Sequence, residues 1–571
     1  MNSLFAFSKK YYLRYKLRLC LGFLLILISN ILTILPIPYI GKSINAIKDL
    51  IVNFSSTSNP FFLKEIFIYT SIILIIPVVG SFVKYYMRQC IITTSRMIEF
   101  DMKNDIFSHY QKLSLSFYKE NSTGDLMNRL TEDVSFIRQY IGPGIMYFVN
   151  LIVLFFMVFI QMLRLDKVLT FYIILPIPIL FIFVYNVSIF ITRKSKDVQD
   201  HQSFICSFIQ DTFSGIHIIK SFVAESFFQK KHNKIISEFH KKNIELIKVN
   251  TILSSIIIFF IGTSQFLILF FGGMGYFKGE IKEIGTIAEL FTYINILIFP
   301  FIVFGWVVSI AERAKVSQMR ICEFLKKKPT ILNENLIDKK ISGKIQFKNV
   351  SFIYGNNNKN KTINKISFTL MKGKTLVLTG ETGSGKTTIG RLISRLYDPD
   401  QGEVLIDNYS LKKLNLYKFR KNIGYVPQES FIFSDSIYNN IAVGSTEKFV
   451  TSHKVHEAAK KAMIAGEILN FKNGYKTIIG EKGFSLSGGQ KQRICIARAL
   501  IRNPKILIFD DSFSSIDQKT RKSIIYCVKK CLRKSTIIII THDFSYVSNF
   551  DLFIMLKNGK ISKIKYYKSH N

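Results

Sequence analysis

Two stretches of the 571-residue chain combine residue types that bind phosphate and magnesium. The first, GETGSGKT at 380–387, fits the pattern GxxxxGK[ST] between an apolar run, which predicts a strand, and a helical pattern. Backbone N–H groups of such a loop close around a β-phosphate, Lys386 reaches the β and γ oxygens, and the Thr387 hydroxyl ligates Mg²⁺. The helix that follows points its N-terminus at the anion. We therefore expect the nucleotide to be bound by Gly380, Glu381, Thr382, Gly383, Ser384, Gly385, Lys386, Thr387 and Thr388.

The second stretch, ILIFDDSFSSID at 506–517, begins as an apolar strand and ends in two aspartates and a polar turn. A strand that ends in Asp510 places a carboxylate beside the Mg²⁺ of a bound nucleotide. Asp511 follows directly and reaches the same site. The predicted metal ligands are thus Thr387 and Asp510.

A third stretch, FSLSGGQKQRICIARAL at 484–500, contains a Gly-Gly turn ahead of a helix that we predict to begin near Gln490. The amides of Gly488 and Gly489, together with Ser487, would form another phosphate cradle. One domain hardly needs two cradles for one triphosphate. The second cradle is therefore predicted to serve a nucleotide held by another subunit.

These motifs follow a long apolar region that ends near residue 310. Hydrophobic residues make up 48% of the chain, and the surplus collects in six uncharged runs. Each run can cross about 30 Å of hydrocarbon as a helix, and each is apolar on all faces. The predicted transmembrane helices are Leu19–Gly41, Ile66–Val83, Gln139–Leu163, Val168–Thr192, Val249–Phe277 and Leu290–Ala311.

Basic residues predict the topology of these spans. Lys and Arg precede the first span and are frequent in the long connections at 84–138 and 193–248. Cytoplasmic loops carry such residues, so both termini and both long loops are expected in the cytoplasm. The loops resemble helix continuations, each with a turn at its tip. Within the spans, we expect Asn30, Gln265 and Asn295 to form interhelical hydrogen bonds.

Composition argues against other classes of protein. The net charge of +38 attracts phosphate, but no nucleic-acid recognition module accompanies it. Biased composition and cytoplasmic loops facing anionic lipid explain the charge, so no nucleic-acid partner is predicted. The seven cysteines form no CxxC pair and indicate a reduced compartment. The basic N-terminus leads into an apolar run that is too long for a signal peptide and predicts a membrane anchor.

From about residue 321 the sequence becomes polar and then alternates short strands with helical patterns. The predicted fold is an all-α six-helix transmembrane domain at 1–320, a linker at 321–342 and an α/β P-loop NTPase domain at 343–571.

The motif LSGGQ, Leu486 to Gln490, resembles the signature of ATP-binding cassette (ABC) transporters. Tyr354 is similar to the aromatic residue of that family that stacks on adenine. Gln428 resembles the Q-loop residue that senses Mg²⁺, so the resemblance adds it to Thr387 and Asp510 as a predicted metal ligand. His542 resembles the switch histidine that contacts the γ-phosphate. SSID at 514–517 matches the family's D-loop.

Two further stretches are similar to coupling elements of ABC exporters. TIIGEKG at 477–483 resembles the loop by which exporter cassettes touch the helix tips, and STGDLMNRLTEDV at 122–134 resembles a tip sequence. The resemblance covers nearly the whole chain. It implies half of a dimeric exporter in the cytoplasmic membrane, which uses ATP and Mg²⁺ to move a small amphipathic or lipid-like substrate. An alternative is an ATP-binding regulatory or channel-like subunit with little hydrolysis of its own.

Asp511 departs from the family pattern. The family usually has Glu after the strand aspartate, where it polarises the attacking water, and Asp511 is one methylene shorter. A displacement of about 1 Å at a reacting group costs on the order of 100-fold in rate. The resemblance assigns catalytic roles to Asp511, His542 and Gln428, with slow hydrolysis at this subunit's own site. A heterodimer with a glutamate-bearing partner is favoured, and a homodimer with a competent Asp511 remains open.

Overall fold

The computed structural model describes residues 10–52, 60–333, 337–355, 361–447, 449–480, 486–547 and 549–567. It divides into two compact units, Met1–Gln111 with Thr123–Lys327, and Lys112–Ser122 with Lys328–Asn571. We call them the membrane unit and the cassette unit. The short segment Lys112–Ser122 therefore lies in the membrane half of the sequence but packs within the cassette unit.

Helices form the whole of the described membrane unit. In chain order they are α1 (Lys16–Ile34), α2 (Ile37–Val52), α3 (Pro60–Lys112), α5 (Thr123–Asn128), α6 (Val134–Gln139), α7 (Ile145–Leu165), α8 (Lys167–Ile174), α9 (Pro176–Ser214), α10 (Ile216–Ser221), α11 (Glu225–Phe277) and α12 (Ile284–Lys326), with α4 (Leu115–Glu120) in the cassette unit. Two π-helical turns, Arg129–Asp133 and Tyr140–Gly144, flank α6.

Six helical segments of the described residues are long and apolar enough to cross a membrane, as the sequence predicts. They extend well beyond the predicted spans. The second runs to Lys112 and the fifth begins at Glu225, so the long loops are helix continuations. At the end of the membrane unit, α12 continues to Lys326, into the segment predicted as linker, because Ile321 and Phe324 are fully buried.

Polar side chains join some of the membrane helices. Gln265 Nε2 on α11 donates to Asn295 Oδ1 on α12 at 2.8 Å, which confirms the interhelical bond predicted for this pair. Asn30 Nδ2 is buried and has no hydrogen-bond partner among the described residues, so the bond predicted there is not observed. At the start of α12, Asn45 Oδ1 accepts from the backbone N–H of Gly285 at 2.8 Å and so caps that helix from α2.

The cassette unit is built on two sheets. Their strands are β1 (Ile345–Phe352), β2 (Ile363–Leu370), β3 (Thr375–Gly380), β4 (Gln401–Ile406), β5 (Tyr409–Ser410), β6 (Ile423–Val426), β7 (Ile506–Asp510), β8 (Thr536–Ile540), β9 (Leu552–Lys557) and β10 (Lys560–Tyr566). The smaller sheet has the order β2-β1-β4-β5 and the larger β10-β9-β3-β8-β7-β6. From β9 to β6 the larger sheet is parallel.

Helices complete the cassette unit and cover the parallel strands. They are α13 (Lys386–Ile393), α14 (Leu416–Lys421), α15 (Ile437–Ala442), α16 (Ser452–Lys461), α17 (Ala465–Leu469), α18 (Gly488–Leu500) and α19 (Gln518–Cys531). Every residue of β7 and β8 is buried, which is why both strands are continuous apolar runs in the sequence. Because these strands are buried, their carboxyl ends have fixed positions, and the polar site residues lie at those ends.

Candidate functional site

The carboxyl ends of four parallel strands form one edge of the larger sheet. The glycine-rich loop follows β3, and Asp510 ends β7, two strands away in the order β3-β8-β7-β6. His542 lies two residues after β8, and Gln428 two residues after β6. The predicted site residues, which are far apart in the sequence, therefore meet at one edge of the sheet. Ligands bind at this edge in open α/β sheets.

The glycine-rich loop has a backbone that requires its glycines. Gly380 and Gly385 have φ of +149° and +97°, and a Cβ on Gly380 would lie 2.2 Å from the Leu556 carbonyl oxygen. Lys386 starts α13 and donates from Nζ to the carbonyl oxygens of Gly380 and Glu381, both at 2.8 Å. Burial lowers the pKa of Lys386, and the nearby Asp511 and Asp510 oppose that shift. The ammonium is therefore held inside the loop, where phosphate oxygens would replace the carbonyls.

A second feature of the loop also fits a phosphate ligand. Ser384 Oγ is buried and has no hydrogen-bond partner among the described residues. A buried hydroxyl without a partner costs free energy unless a ligand or water satisfies it. Together with the N-terminus of α13, this hydroxyl marks the loop as an anion cradle.

Asp510 and Thr387 form the pair that would hold Mg²⁺. Thr387 Oγ1 donates to Asp510 Oδ1 at 2.8 Å, and the Asp510 side chain is buried. Burial raises the pKa of Asp510, while hydrogen bonds from Tyr425 and Thr387 oppose that shift. A hydroxyl and a carboxylate are hard oxygen ligands of the kind that Mg²⁺ takes beside phosphate oxygens and water, so these two residues fit the metal.

Tyr425 is a site residue that the sequence did not predict. Its hydroxyl donates to Asp510 Oδ2 at 2.7 Å, so it orients the carboxylate that faces Thr387. Tyr425 is the third residue of β6, next to β7 in the sheet, and its register partner is Ile508. A polar group within the apolar strand IGYV was the available signal, but strand order is needed to place it beside Asp510.

The backbone of Asp511 adopts a left-handed conformation with φ of +46°. Its N–H donates to the Ile540 carbonyl oxygen at 2.9 Å, which anchors the turn after β7 to the end of β8. Among non-glycine residues, Asp and Asn tolerate this conformation best. The main chain therefore turns directly after Asp510, the candidate metal ligand, and places Asp511 at the same edge.

The Tyr354 ring lies in an aromatic group close to α13. Its hydroxyl accepts from Arg391 Nη1 at 3.2 Å, and Phe352 and Tyr397 contact it at ring-centroid distances of 4.8 and 5.2 Å. Lys119, on α4 of the same unit, lies with its Nζ 4.3 Å from the Tyr354 ring centroid. The predicted adenine platform is therefore in contact with a cation from the membrane half of the sequence.

The LSGGQ segment is braced at the start of α18. Ser487 Oγ accepts from the Gln490 N–H at 3.2 Å and Gln490 Oε1 from the Ser487 N–H at 3.0 Å, which is a capping box. Leu486 is buried, and a Cβ on Gly489 would lie 2.8 Å from the Ser515 carbonyl oxygen. Gly488 and Gly489 therefore allow the turn to pack against the SSID segment.

Some predicted residues make no contact with the nucleotide loop. Within the described part of the chain, no hydrogen bond or ion pair joins Leu486–Gln490 to the loop at 380–388. Gln428 and His542 are exposed at the sheet edge. Of the TIIGEKG segment, residues 481–483 lie outside the described residues.

Protein-family models match both halves of the chain. Residues 19–301 match the model described as "ABC transporter transmembrane region", and residues 363–514 match the model described as "ABC transporter".

Relatives and a solved structure match over nearly the full length. The chain is 32% identical over 567 residues to the multidrug resistance-like ATP-binding protein MdlA of Buchnera aphidicola subsp. Schizaphis graminum, covering 98% of this chain and 94% of the relative. It is 28% identical over 515 residues to an ATP-dependent lipid A-core flippase of Haemophilus influenzae, covering 90% and 87%. A bacterial Atm1-family ABC exporter with ATP bound has the same fold, with a TM-score of 0.81, 22% identity and coverage of 96% and 95%.

Proposed function

The chain belongs to the ABC transporter family, and from this premise we propose that it is one subunit of a dimeric exporter whose two ATP sites are shared between subunits. The chain is a multi-pass membrane protein with six apolar helices and an ATP-binding cassette, and it couples ATP hydrolysis to export. The proposal includes a domain division at 1–320, 321–342 and 343–571 and the roles of the individual site residues. It also includes the Mg²⁺ ion, the cytoplasmic position of both termini and the substrate class.

One observation carries the proposed nucleotide chemistry. Lys386 Nζ, Thr387 Oγ1 and the Asp510 carboxylate lie at the same edge of the parallel sheet, after β3 and at the end of β7, and Thr387 Oγ1 donates to Asp510 at 2.8 Å. The nucleotide's Mg²⁺, when bound, would neutralise charge on the β and γ phosphates. Thr387 and Asp510 would hold the Mg²⁺ ion, and Gln428 would lie at the edge of the metal site.

The remaining steps fall to residues of this chain and of a partner. Lys386 would bind the β and γ oxygens, and His542 would contact the γ-phosphate from the end of β8. Asp511 would orient the attacking water from its left-handed turn after β7. Ser487 and the Gly488–Gly489 amides would donate to a γ-phosphate bound by the partner subunit, since they contact no part of their own loop among the described residues.

We infer slow hydrolysis at this subunit's own site. The backbone at Asp511 is fixed by its bond to Ile540, so the shorter side chain cannot be compensated by a shift of the main chain. The complete Leu486–Gln490 segment would serve a competent site on a partner with Glu at that position. A heterodimer is therefore proposed over a homodimer, and over a regulatory subunit without transport.

The substrate class is proposed from the relatives and the membrane unit. Relatives are named for multidrug resistance and lipid A-core flipping, and the membrane helices present many aromatic side chains. A small amphipathic or lipid-like molecule suits such a surface. The cytoplasmic membrane is the proposed location, with the cassette in the cytoplasm.

Transport in inside-out vesicles tests the function. Vesicles that contain the chain with its co-expressed partner should accumulate a fluorescent amphiphile when ATP and Mg²⁺ are supplied. Lys386→Ala should reduce that accumulation, while Lys472→Ala, which changes an exposed lysine of the same unit, should not. ATP-independent accumulation, or equal accumulation by wild type and Lys386→Ala, would contradict the proposal.

A further inference from the structure

A cavity of about 820 Å³ opens in the cassette unit at the sheet edge opposite the nucleotide loop. Its walls include the turns that precede three parallel strands: Lys372–Lys374 before β3, Arg533–Ser535 before β8, and Lys505 before β7. The nucleotide loop follows the other end of β3. That strand has six residues, so about 20 Å separates the two edges. The cavity is therefore a separate place from the ATP site.

Basic side chains dominate the cavity wall. Seven basic residues line it: Lys340, Lys372, Lys374, Lys505, Lys529, Arg533 and Lys534. Among the described lining residues the one carboxylate is Asp551, which accepts from Lys374 Nζ at 2.9 Å and from the Thr375 N–H at 2.8 Å. Seven cations to one anion is a higher ratio than the 77 to 39 of the whole chain.

Five of the seven cations of this cavity have no carboxylate partner among the described residues. In the described part of the chain, no carboxylate lies within 4.0 Å of the charged groups of Lys340, Lys372, Lys505, Arg533 or Lys534. Lys529 Nζ donates to the Asn549 carbonyl oxygen at 2.8 Å, and burial lowers the pKa of Lys529. Like charges that face one cavity with a single carboxylate among them repel one another, and a multivalent anion reduces that repulsion.

The turns that carry these cations are fixed to one another. The Gly373 N–H donates to Thr536 Oγ1 at 3.0 Å, and Gly373 has φ of +73°. Thr536 Oγ1 in turn donates to the Gly343 carbonyl oxygen at 2.7 Å. These hydrogen bonds hold the turns that carry the cations in a defined arrangement, which lowers the cost of bringing the cations together around a ligand.

We propose that this cavity binds a compact soluble anion that carries several phosphates in a chain, such as an inorganic oligophosphate or a nucleoside polyphosphate. The cations line a concave volume that can hold a triphosphate chain, whereas a long nucleic acid or acidic polypeptide would need an extended basic strip. A bound oligophosphate would bridge the turns before β3 and β8. It would stabilise the two strands that lead to the nucleotide loop and to His542.

Titration of tripolyphosphate into the full-length protein tests the site. Because tripolyphosphate also resembles the phosphates of ATP, every protein in the comparison carries Lys386→Ala. On that background the cavity variant is Lys372→Gln/Arg533→Gln/Lys534→Gln. The matched control, Lys560→Gln/Lys563→Gln/Lys565→Gln, removes equal charge from exposed positions on β10. Calorimetry at about 0.15 M salt measures affinity, and thermal unfolding without ligand checks that each variant folds.

The proposal expects saturable binding of one tripolyphosphate per chain and a rise in unfolding temperature. The cavity variant should bind at least about 10-fold more weakly, and the β10 control should bind as its parent does. Should the triple variant fail to fold, Arg533→Gln alone replaces it, with Lys563→Gln as control. A second arm with a nucleoside polyphosphate distinguishes the two sources of the phosphate chain.

Three results would overturn the site. They are no binding of tripolyphosphate at this salt, equal weakening by the β10 control, and binding of RNA or a polyglutamate peptide but not of tripolyphosphate. The first and second results would mean that the cations of the cavity attract anions only diffusely. The third would mean that they bind a macromolecular partner. None of them bears on transport, so the proposed export function stands or falls separately.

Discussion

Lys119 Nζ lies 4.3 Å from the centroid of the Tyr354 ring, so a residue from the membrane half of the sequence contacts the proposed adenine platform. The helix that carries Lys119, α4, packs within the cassette unit, where Leu115 joins its apolar core. Burial lowers the pKa of Lys119, and the nearby Arg391 guanidinium adds to that shift. A cation that rests on the ring must move or share the ring when adenine stacks there.

Lys119→Ala is expected to tighten ATP binding. Loss of a cation–π contact of about 0.5–1 kcal/mol removes competition for the ring and should lower the Kd about 2–5-fold. Binding of a fluorescent ATP analogue to the purified transporter measures this. Lys112→Ala, at an exposed lysine of the same segment, serves as control. Weaker binding by Lys119→Ala would mean that the lysine supports the adenine and does not compete with it.

Tyr425→Phe is expected to reduce both stability and Mg²⁺-dependent activity. The change removes the 2.7 Å hydrogen bond to Asp510 Oδ2 and leaves a buried carboxylate oxygen without that partner, at a cost of about 1–3 kcal/mol. It should also raise the pKa of Asp510 further, so activity would fall at the acidic end of the pH profile first.

Thermal unfolding and pH–rate profiles of the reconstituted ATPase check the Tyr425 prediction. Tyr526→Phe is the control, because that tyrosine is 70% exposed. If Tyr425→Phe unfolds and hydrolyses ATP as wild type does, the hydroxyl does not orient Asp510.

The site was predictable from the sequence where a motif is local. The loop at 380–387 and the strand ending in Asp510 carry their own strand and helix context, so their elements could be placed without a fold. Tyr425 could not, because its role depends on β6 lying next to β7, and sheet order is decided by packing across about 80 residues of intervening chain. Lys119 was missed for the same reason, since nothing in FYKEN indicates that α4 packs in the cassette unit.

The helix count was also predictable, whereas the helix ends were not. Apolar runs reveal where a helix meets lipid, but α3 and α11 continue as polar helices whose length depends on packing with neighbours. The close contact of α2 with α12 likewise depends on tertiary structure. Gly41 and Gly285 gave no signal in the sequence beyond being small residues near the ends of apolar runs.

Gly285→Ala is expected to destabilise the membrane unit. A Cβ there would lie 2.2 Å from the Gly41 carbonyl oxygen, and backbone cannot yield as a flexible side chain can. The two helices would separate, weakening the bond from the Gly285 N–H to Asn45 Oδ1. Overpacking of this kind typically costs about 1–3 kcal/mol.

Fluorescence-detected gel filtration after heating measures the effect of Gly285→Ala in detergent. Gly262→Ala is the matched control, because its Cβ would meet nothing within 4 Å and alanine favours a helix by about 1 kcal/mol. The prediction expects a lower melting temperature for Gly285→Ala alone. Equal melting temperatures for both variants would show that α2 and α12 do not pack this closely.

The last prediction separates the two roles of the cassette, as donor of LSGGQ and as holder of its own ATP. If Ser487 aims its hydroxyl at a partner's γ-phosphate, Ser487→Ala should lower the ATPase rate of the assembled transporter about 10²–10³-fold. Asp511→Asn should change it far less, because this subunit's own site contributes little turnover. ATPase rates of the complex in membranes, measured for each single variant, make the comparison.

Ser487 also caps α18, so loss of the cap must be told apart from loss of the hydroxyl donor. Alanine removes the 3.2 Å bond to the Gln490 N–H, at a cost of about 1 kcal/mol of stability, whereas Ser487→Asp keeps a capping oxygen. Aspartate also places negative charge toward the phosphate. We therefore expect Ser487→Asp to melt as wild type does and yet to be as inactive as Ser487→Ala. If Ser487→Asp is active, the Ser487 hydroxyl is not the donor to a partner's γ-phosphate. If Asp511→Asn silences the complex while Ser487→Ala leaves it running, the assignment of competent and slow sites is reversed, because catalysis would then depend on the carboxylate at the turn after β7.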